Sequence, residues 1–67
     1  MYRLFITTKG KYGKRVITQN FPMTQQGLFN AEELFEQAKV RPEISELRLF
    51  RNDSQGMCEI KRWRREE

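Results

Sequence analysis

Hydrophobic and polar residues alternate in four segments of the chain, and each segment is rich in β-branched and aromatic side chains. This pattern is typical of β-strands. The four predicted strands are residues 2–8, 15–21, 44–51 and 57–63. Residues 9–14, which include two glycines, and the polar residues 52–56 separate the members of each pair. The chain is therefore predicted to contain two β-hairpins.

The segment between the two hairpins predicts one α-helix. Asn30 precedes Glu33 by three residues, which is the spacing of a capping box at a helix start. An apolar stripe with helical spacing follows, formed by Ala31, Leu34, Phe35 and Ala38. Pro42 pushes the residue before it out of helical geometry. We therefore expect a connection at residues 22–28 and a helix that begins at Asn30 and ends before Pro42.

The predicted order of elements is β-β-α-β-β, which favours an α+β fold. One helix covers one face of a four-stranded, mainly antiparallel sheet, and the result is a two-layer sandwich. The 67 residues suffice for a single domain, residues 1–67, with a small core. The other face of the sheet is then left open to solvent or to a partner.

The alternation within each strand assigns side chains to the two faces of the sheet. The residues expected to point towards the helix are Leu4, Ile6, Leu47, Leu49, Cys58 and Ile60. The residues expected on the open face are Arg3, Phe5, Thr7, Glu46, Arg48, Phe50, Glu59, Lys61 and Trp63. The second strand allows either phase, because both Val16 and Ile17 could face the helix.

The net charge of +4 is unevenly distributed along the chain. Residues 1–31 contain five basic residues and no acidic one, whereas residues 32–67 contain eight basic and nine acidic residues. Such asymmetry favours an anionic partner for the first half of the chain.

Basic side chains interleaved with aromatic ones are the residue types that bind nucleic acid, because cations neutralise phosphates and rings stack on bases. The candidate contacts in the first hairpin loop are Tyr12 and the surrounding Lys9, Lys11, Lys14 and Arg15. The candidate stacking residues on the open face are Phe50 and Trp63, and the candidate backbone contacts there are Arg48, Lys61 and Arg64. The sequence thus predicts a small basic module that binds DNA or RNA.

An alternative function uses the same surface. Trp and Arg are also enriched where proteins bind each other tightly. The chain is therefore equally compatible with an inhibitor or accessory factor that binds a folded protein, or with a homodimer. Self-association is a common source of stability for a domain of this size.

Several classes of activity are disfavoured by what the sequence lacks. The chain has no histidine, the usual general base near neutral pH, and Cys58 is its only cysteine. No intramolecular disulfide can form, and the common zinc-ligand patterns are missing. We therefore expect a protein without catalytic activity, cofactor, metal or small-molecule substrate.

The expected location is the cytoplasm. No apolar run approaches the ~20 residues that span a bilayer, and the residues after Met1 do not form a signal peptide. An unpaired cysteine is typical of a reducing compartment. We therefore expect no membrane partner.

The first strand pair, its basic loop and the following helix, about the first 40 residues, resemble the arm-type DNA-binding domains of tyrosine recombinases. Those domains pack a three-stranded sheet on one helix, whereas the predicted strands here flank the helix two and two. The resemblance implies DNA binding, and no individual residue is carried over. Size and composition are also similar to small phage or mobile-element proteins that block a host enzyme, which implies the alternative function.

Overall fold

The computed structural model describes residues 1–65 and contains four strands and one helix within them. The elements are β1 Tyr2–Gly10, β2 Gly13–Phe21, α1 Gln25–Lys39, β3 Ile44–Asp53 and β4 Gly56–Arg64. The strands form one antiparallel sheet in the order β2-β1-β3-β4, so that β2 and β4 are its edges. This arrangement confirms the predicted α+β fold and the order β-β-α-β-β.

The core lies between α1 and the two central strands. Its eight buried apolar residues are Leu4, Ile6, Ala31, Phe35, Ala38, Ile44, Leu47 and Leu49. Leu4 is paired with Leu49 and Ile6 with Leu47 across β1 and β3, and the helix places Phe35 over them. The prediction that these four strand residues point towards the helix is confirmed. The register of β2 shows which of its two possible faces meets the helix. Ile17 is paired with Ile6 and faces the helix, whereas Val16 is paired with Thr7 and lies on the open face.

The helix begins earlier than the sequence predicted. Thr24 is its N-cap, and the Thr24 hydroxyl oxygen accepts a hydrogen bond of 2.9 Å from the Gly27 N–H. Gly27 lies against Pro22 so closely that a Cβ atom at this position would overlap the Pro22 carbonyl oxygen. Asn30 is an interior residue of α1, so the predicted start at Asn30 and the predicted connection at residues 22–28 are wrong. The expected end before Pro42 is confirmed.

A β-bulge in β4 changes which side chains face the helix. Leu49 is paired with Lys61, but the next residue of β3, Phe50, is paired with Glu59, so Ile60 is the extra residue. Beyond the bulge Lys61 and Trp63 therefore lie on the helix side, and the prediction that they occupy the open face is wrong. Ile60 is 45% exposed and not a core residue, contrary to the prediction.

Cys58 also differs from its predicted environment. It is paired with Arg51, two residues beyond the buried Leu49 on the same face. It therefore points to the helix side but lies past the core, and its thiol is exposed rather than buried.

The two basic residues that follow Trp63 both belong to the folded part of the chain. Arg64 belongs to β4. The Arg65 Nη2 donates to the carbonyl oxygens of Lys39 and Arg41, each at 2.9 Å, and its Nε donates to that of Ile44 at 3.0 Å. Residues 66–67 lie outside the described part of the chain.

Candidate nucleic-acid interface

Cross-strand pairing arranges the open face, the sheet surface turned away from α1, into a regular grid of side chains. Read from β2 to β4, one row across the sheet is Asn20, Arg3, Phe50 and Glu59. The next row is Thr18, Phe5, Arg48 and Arg62, and the third is Val16, Thr7, Glu46 and Arg64. Lys14 and Lys9 form a fourth, shorter row beside the first hairpin loop. Aromatic rings thus occupy the centre of the face and cations surround them.

The open face has a strong excess of positive charge. It carries two acidic residues, Glu46 and Glu59, and six basic ones, Arg3, Lys9, Lys14, Arg48, Arg62 and Arg64. The difference of four equals the net charge of the whole chain. Among residues 1–65, the rest of the chain carries seven basic and five acidic residues, a difference of two, so the larger excess of positive charge lies on the open face.

Phe5 and Phe50 form an aromatic pair on the two central strands. Their ring centroids are 5.4 Å apart and their planes are inclined by 84°. The Arg48 guanidinium carbon lies 4.8 Å from the centre of the Phe50 ring, within the range of a cation–π contact. Because the two rings are perpendicular, a flat group stacked on one ring meets the edge of the other. The pair, called here the Phe5–Phe50 platform, therefore has room for one flat group.

Arg48 is the most constrained cation of the open face. Its Nη2 donates to the Glu59 Oε2 at 2.9 Å. Its Nε is buried and has no hydrogen-bond acceptor among residues 1–65. Arg62 lies directly opposite Arg48 on β4, and two like charges in such a pair repel each other. Glu59 therefore offsets only part of the positive charge at this place.

A broad depression of about 690 Å³ lies at one end of the open face. Lys9 and Lys14 are on one side of it and Arg64 is on the other, with Glu46 between them. The basic side chains at its rim are of the types that form charge-assisted hydrogen bonds with phosphate groups. The depression adjoins the first hairpin loop, so both belong to one continuous basic surface.

The tip of the first hairpin projects from that end of the sheet. Tyr12 is 95% exposed, and the Lys11 Nζ lies 5.9 Å from the centre of its ring. Gly13 follows with a φ of 121°, a conformation that residues with side chains rarely adopt. The glycine thus permits the tight turn that presents Lys11 and Tyr12 to solvent.

The structure places five of the ten predicted site residues on the open face: Lys9, Lys14, Arg48, Phe50 and Arg64. Lys11 and Tyr12 lie at the adjoining hairpin tip, whereas Arg15, Lys61 and Trp63 lie on the helix side. Three further basic or aromatic residues of the grid were not among the predicted contacts: Arg3, Phe5 and Arg62. Alternation alone places Arg3 and Phe5 on the open face, but Arg62 could not be found without knowledge of the bulge.

Lys61 and Trp63 instead join β4 to the helix and its C-terminal end. The Lys61 Nζ donates to the Glu36 Oε1 at 3.0 Å, and the Arg65 guanidinium lies 5.0 Å from the Trp63 ring. Hydrogen bonds from Lys61 and Lys39 hold the pKa of Glu36 below its ordinary value of 4.5. These contacts are structural and leave the open face accessible.

Within residues 1–65, no cluster of side chains could hold a metal ion, and no helix is long and apolar enough to cross a membrane. Comparison of the chain with protein-family models, with curated proteins and with solved structures found no match. The resemblance to arm-type DNA-binding domains thus gains no support from these comparisons, and inference about function depends on the geometry of the open face.

Proposed function

We propose that the protein is a non-enzymatic module that binds single-stranded nucleic acid across the open face. The observation that supports this most directly is the central Phe5–Phe50 pair within a face that carries six basic and two acidic residues. Four-stranded sheets with aromatic side chains on an open face bind single strands by stacking bases on the rings. The surrounding cations neutralise the phosphates that flank the stacked base.

Within this arrangement each group of side chains has a separate role. A base stacks on the Phe5–Phe50 platform beside the Arg48 guanidinium, which lies over the Phe50 ring. The backbone then extends towards Arg62 and Arg64 on β4, or towards Lys9 and Lys14 at the hairpin end. Lys11 and Tyr12 extend the surface beyond the sheet. A duplex fits less well, because its bases are already stacked and cannot reach the platform.

The charge contribution is tested by removing two cations from the open face. We expect Arg62→Gln combined with Arg64→Gln to weaken binding of a labelled single strand of about 12 nucleotides, a length typical of small single-strand-binding domains. If both residues contact phosphates, the slope of log K against log salt concentration falls by about 1.4, since each contact on a single strand contributes about 0.7. Fluorescence anisotropy over a salt series measures both quantities.

The matched control removes the same charge from the helix side. Arg15→Gln combined with Arg41→Gln changes the net charge equally, but both side chains lie away from the platform. We expect this variant to keep the affinity and slope of the unmodified protein. Equal losses in both double variants would contradict a face-specific site, and undetectable binding of single strands at low salt would refute the proposal altogether.

The stacking contribution is tested with Phe50→Leu. Leucine keeps an apolar side chain against Phe5 but has no ring face for a base. Loss of one stacked base costs about 1–3 kcal/mol, so we expect the affinity to fall roughly 5- to 150-fold with an unchanged salt slope. If the partner is a protein and not nucleic acid, the unmodified protein will bind no oligonucleotide in this experiment. A complex that resists nuclease in a pull-down would then support the alternative function, binding of a folded protein.

A further inference from the structure

The two edge strands of the sheet differ in how they are protected against pairing with another strand. β4 contains a bulge at Ile60 and carries Glu59, Lys61, Arg62 and Arg64, and both features discourage strand addition. β2 pairs with β1 over nine residues without a register shift, and its charged residues, Lys14 and Arg15, lie at one end. The edge of β2 is therefore the open one.

The free backbone groups of β2 can be identified from the hydrogen bonds of β1. The Lys9 N–H donates to the Glu43 carbonyl, and the Met1 carbonyl accepts from the Asn52 N–H. The odd-numbered residues of β1 therefore direct their backbone N–H and C=O groups towards β3. Even-numbered residues then bond to β2, and their partners there include Ile17 and Gln19. The remaining β2 residues, which present their N–H and C=O groups to the free edge, are Lys14, Val16, Thr18 and Asn20.

The side chains at this edge are unusually apolar for an unpaired strand. Val16 is 58% exposed on the open face and Ile17 is 41% exposed on the helix side. Ile17 also lines a groove of about 320 Å³ beside α1, together with Ile6, Leu34 and Ile44. Two adjacent exposed β-branched residues at the centre of an edge strand form a ready template for pairing.

We propose that β2 pairs antiparallel with β2 of a second copy, with Ile17 opposite Ile17 of that copy. This two-fold register is self-complementary. Val16 faces Thr18 of the second copy, and Lys14 faces Asn20, so the outward backbone groups pair at four positions along the edge. Arg15 faces Gln19, and no two charged residues oppose each other. The two-fold axis is perpendicular to the sheet, so an eight-stranded sheet forms with both helices on one side.

The dimer gives the two open faces one continuous surface, but its existence does not depend on nucleic acid. Its mass and its sensitivity to substitution are measured on the purified protein alone. A negative result for the dimer therefore leaves the proposed single-strand binding of each copy intact, and the reverse also holds.

The experiment uses the symmetry of the proposed contact. Ile17→Lys places two positive charges opposite each other, and Ile17→Glu places two negative ones; we expect both variants to be monomers by sedimentation equilibrium when the unmodified protein is a dimer. An equimolar mixture of the two restores a dimer of one copy of each, because residue 17 then faces an opposite charge. Circular dichroism establishes that each variant alone remains folded.

The matched control is Ile60→Lys on the other edge strand, where the side chain is exposed to a similar extent, 45%. We expect this variant to remain a dimer. A monomeric unmodified protein at every concentration would overturn the proposal. So would dimers that persist in Ile17→Lys, a mixture that stays monomeric, or equal disruption by Ile60→Lys.

Discussion

Arg64 and Arg65 are adjacent in the sequence but have unrelated surroundings. Arg64 extends over the open face opposite Glu46. The Arg65 guanidinium instead donates to the carbonyl oxygens of Lys39, the last residue of α1, and of Arg41 and Ile44, and it lies over the Trp63 ring. A cation at the C-terminal end of a helix also interacts favourably with the helix dipole. One of the two arginines therefore belongs to the candidate site and the other to the fold.

This difference predicts that substitutions of the two arginines affect different properties, stability for Arg65 and binding for Arg64. We expect Arg65→Ala to lower the free energy of unfolding by about 2 kcal/mol, since hydrogen bonds from a charged group contribute about 1.5–3 kcal/mol. Arg64→Ala is expected to change stability by less than about 0.5 kcal/mol, as is usual at an exposed position, and to weaken single-strand binding. Urea denaturation and anisotropy measure the two quantities. Comparable destabilisation by both substitutions would contradict these assignments.

Alternation of apolar and polar residues did not predict which face of the sheet every side chain of β4 occupies. The sequence Met57 to Trp63 fits two phases, because Ile60 marks one and Trp63 the other. Prediction chose the phase of Ile60 throughout. The folded chain uses both phases by inserting the bulge, which allows the large indole to cover apolar surface opposite Leu47. A single extra residue reverses every later side chain in a strand, and local sequence does not specify it.

The start of α1 raises a similar question at the scale of an element, because the chain contains two candidate caps. Both Thr24 and Asn30 are residue types that favour N-caps. The earlier one is used because it lets Gly27 pack against Pro22 and adds Leu28 to the residues that contact the core. Tertiary packing thus overrides the better local signal, whereas the hydrophobic stripe from Ala31 to Ala38 was predictable because the helix period is regular.

The position of the cap gives a direct prediction for stability. Thr24→Ala removes the acceptor for the Gly27 N–H and is expected to cost about 1 kcal/mol, whereas Thr24→Ser keeps the hydroxyl and most of the stability. Asn30→Ala replaces an exposed residue inside the helix by a better helix former and is expected to be neutral or slightly stabilising. Thermal or urea denaturation of the three variants is the measurement. A larger loss in Asn30→Ala than in Thr24→Ala would contradict the observed helix start.

The contact between α1 and β4 predicts a pH-dependent stability. Hydrogen bonds from Lys61 and Lys39 lower the pKa of Glu36 in the folded state, so the charged carboxylate stabilises the fold. The sign follows from linkage: a lowered folded pKa contributes fully above the unfolded value of about 4.5 and is lost as pH falls through the folded value.

We therefore expect the stability difference between the unmodified protein and Glu36→Gln to be constant near neutral pH and to shrink below about pH 4.5. Urea denaturation across this range measures it. Glu32→Gln, on the exposed side of the same helix, is the matched control and is expected to show a smaller difference. A gap that widens on acidification would contradict the stabilising role of the Glu36 carboxylate.

At the scale of the whole molecule, the distribution of charge separates the two sides of the sheet. The excess of cations on the open face follows from strand register, which gathers residues that are far apart in the sequence, such as Arg3 and Arg62. The sequence alone predicted a cationic first half, residues 1–31, but half of the open-face cations come from β3 and β4. Fold class and central strands were predictable from patterning; this gathering of charge required the strand order and the bulge.

Repulsion between cations of the open face lowers the free energy of unfolding, although the same cations are proposed to bind phosphates. Two substitutions on β4 separate the effect on stability from the effect on binding. Arg62 lies opposite Arg48, so Arg62→Glu replaces a repulsive pair by an attractive one and is expected to raise the free energy of unfolding by about 0.5 kcal/mol. Arg64 lies opposite Glu46, so Arg64→Glu creates a repulsive pair and is expected to lower it by a similar amount.

Both variants reverse one cation of the proposed site, so both are expected to bind single strands more weakly, although their stabilities move in opposite directions. Denaturation and anisotropy on the same samples test this. If affinity instead followed stability, rising in Arg62→Glu and falling in Arg64→Glu, binding would depend on the integrity of the fold and not on the cations of the open face. A gain of stability with a loss of affinity in Arg62→Glu would mean that the repulsive pair is maintained for binding, since the fold is better without it.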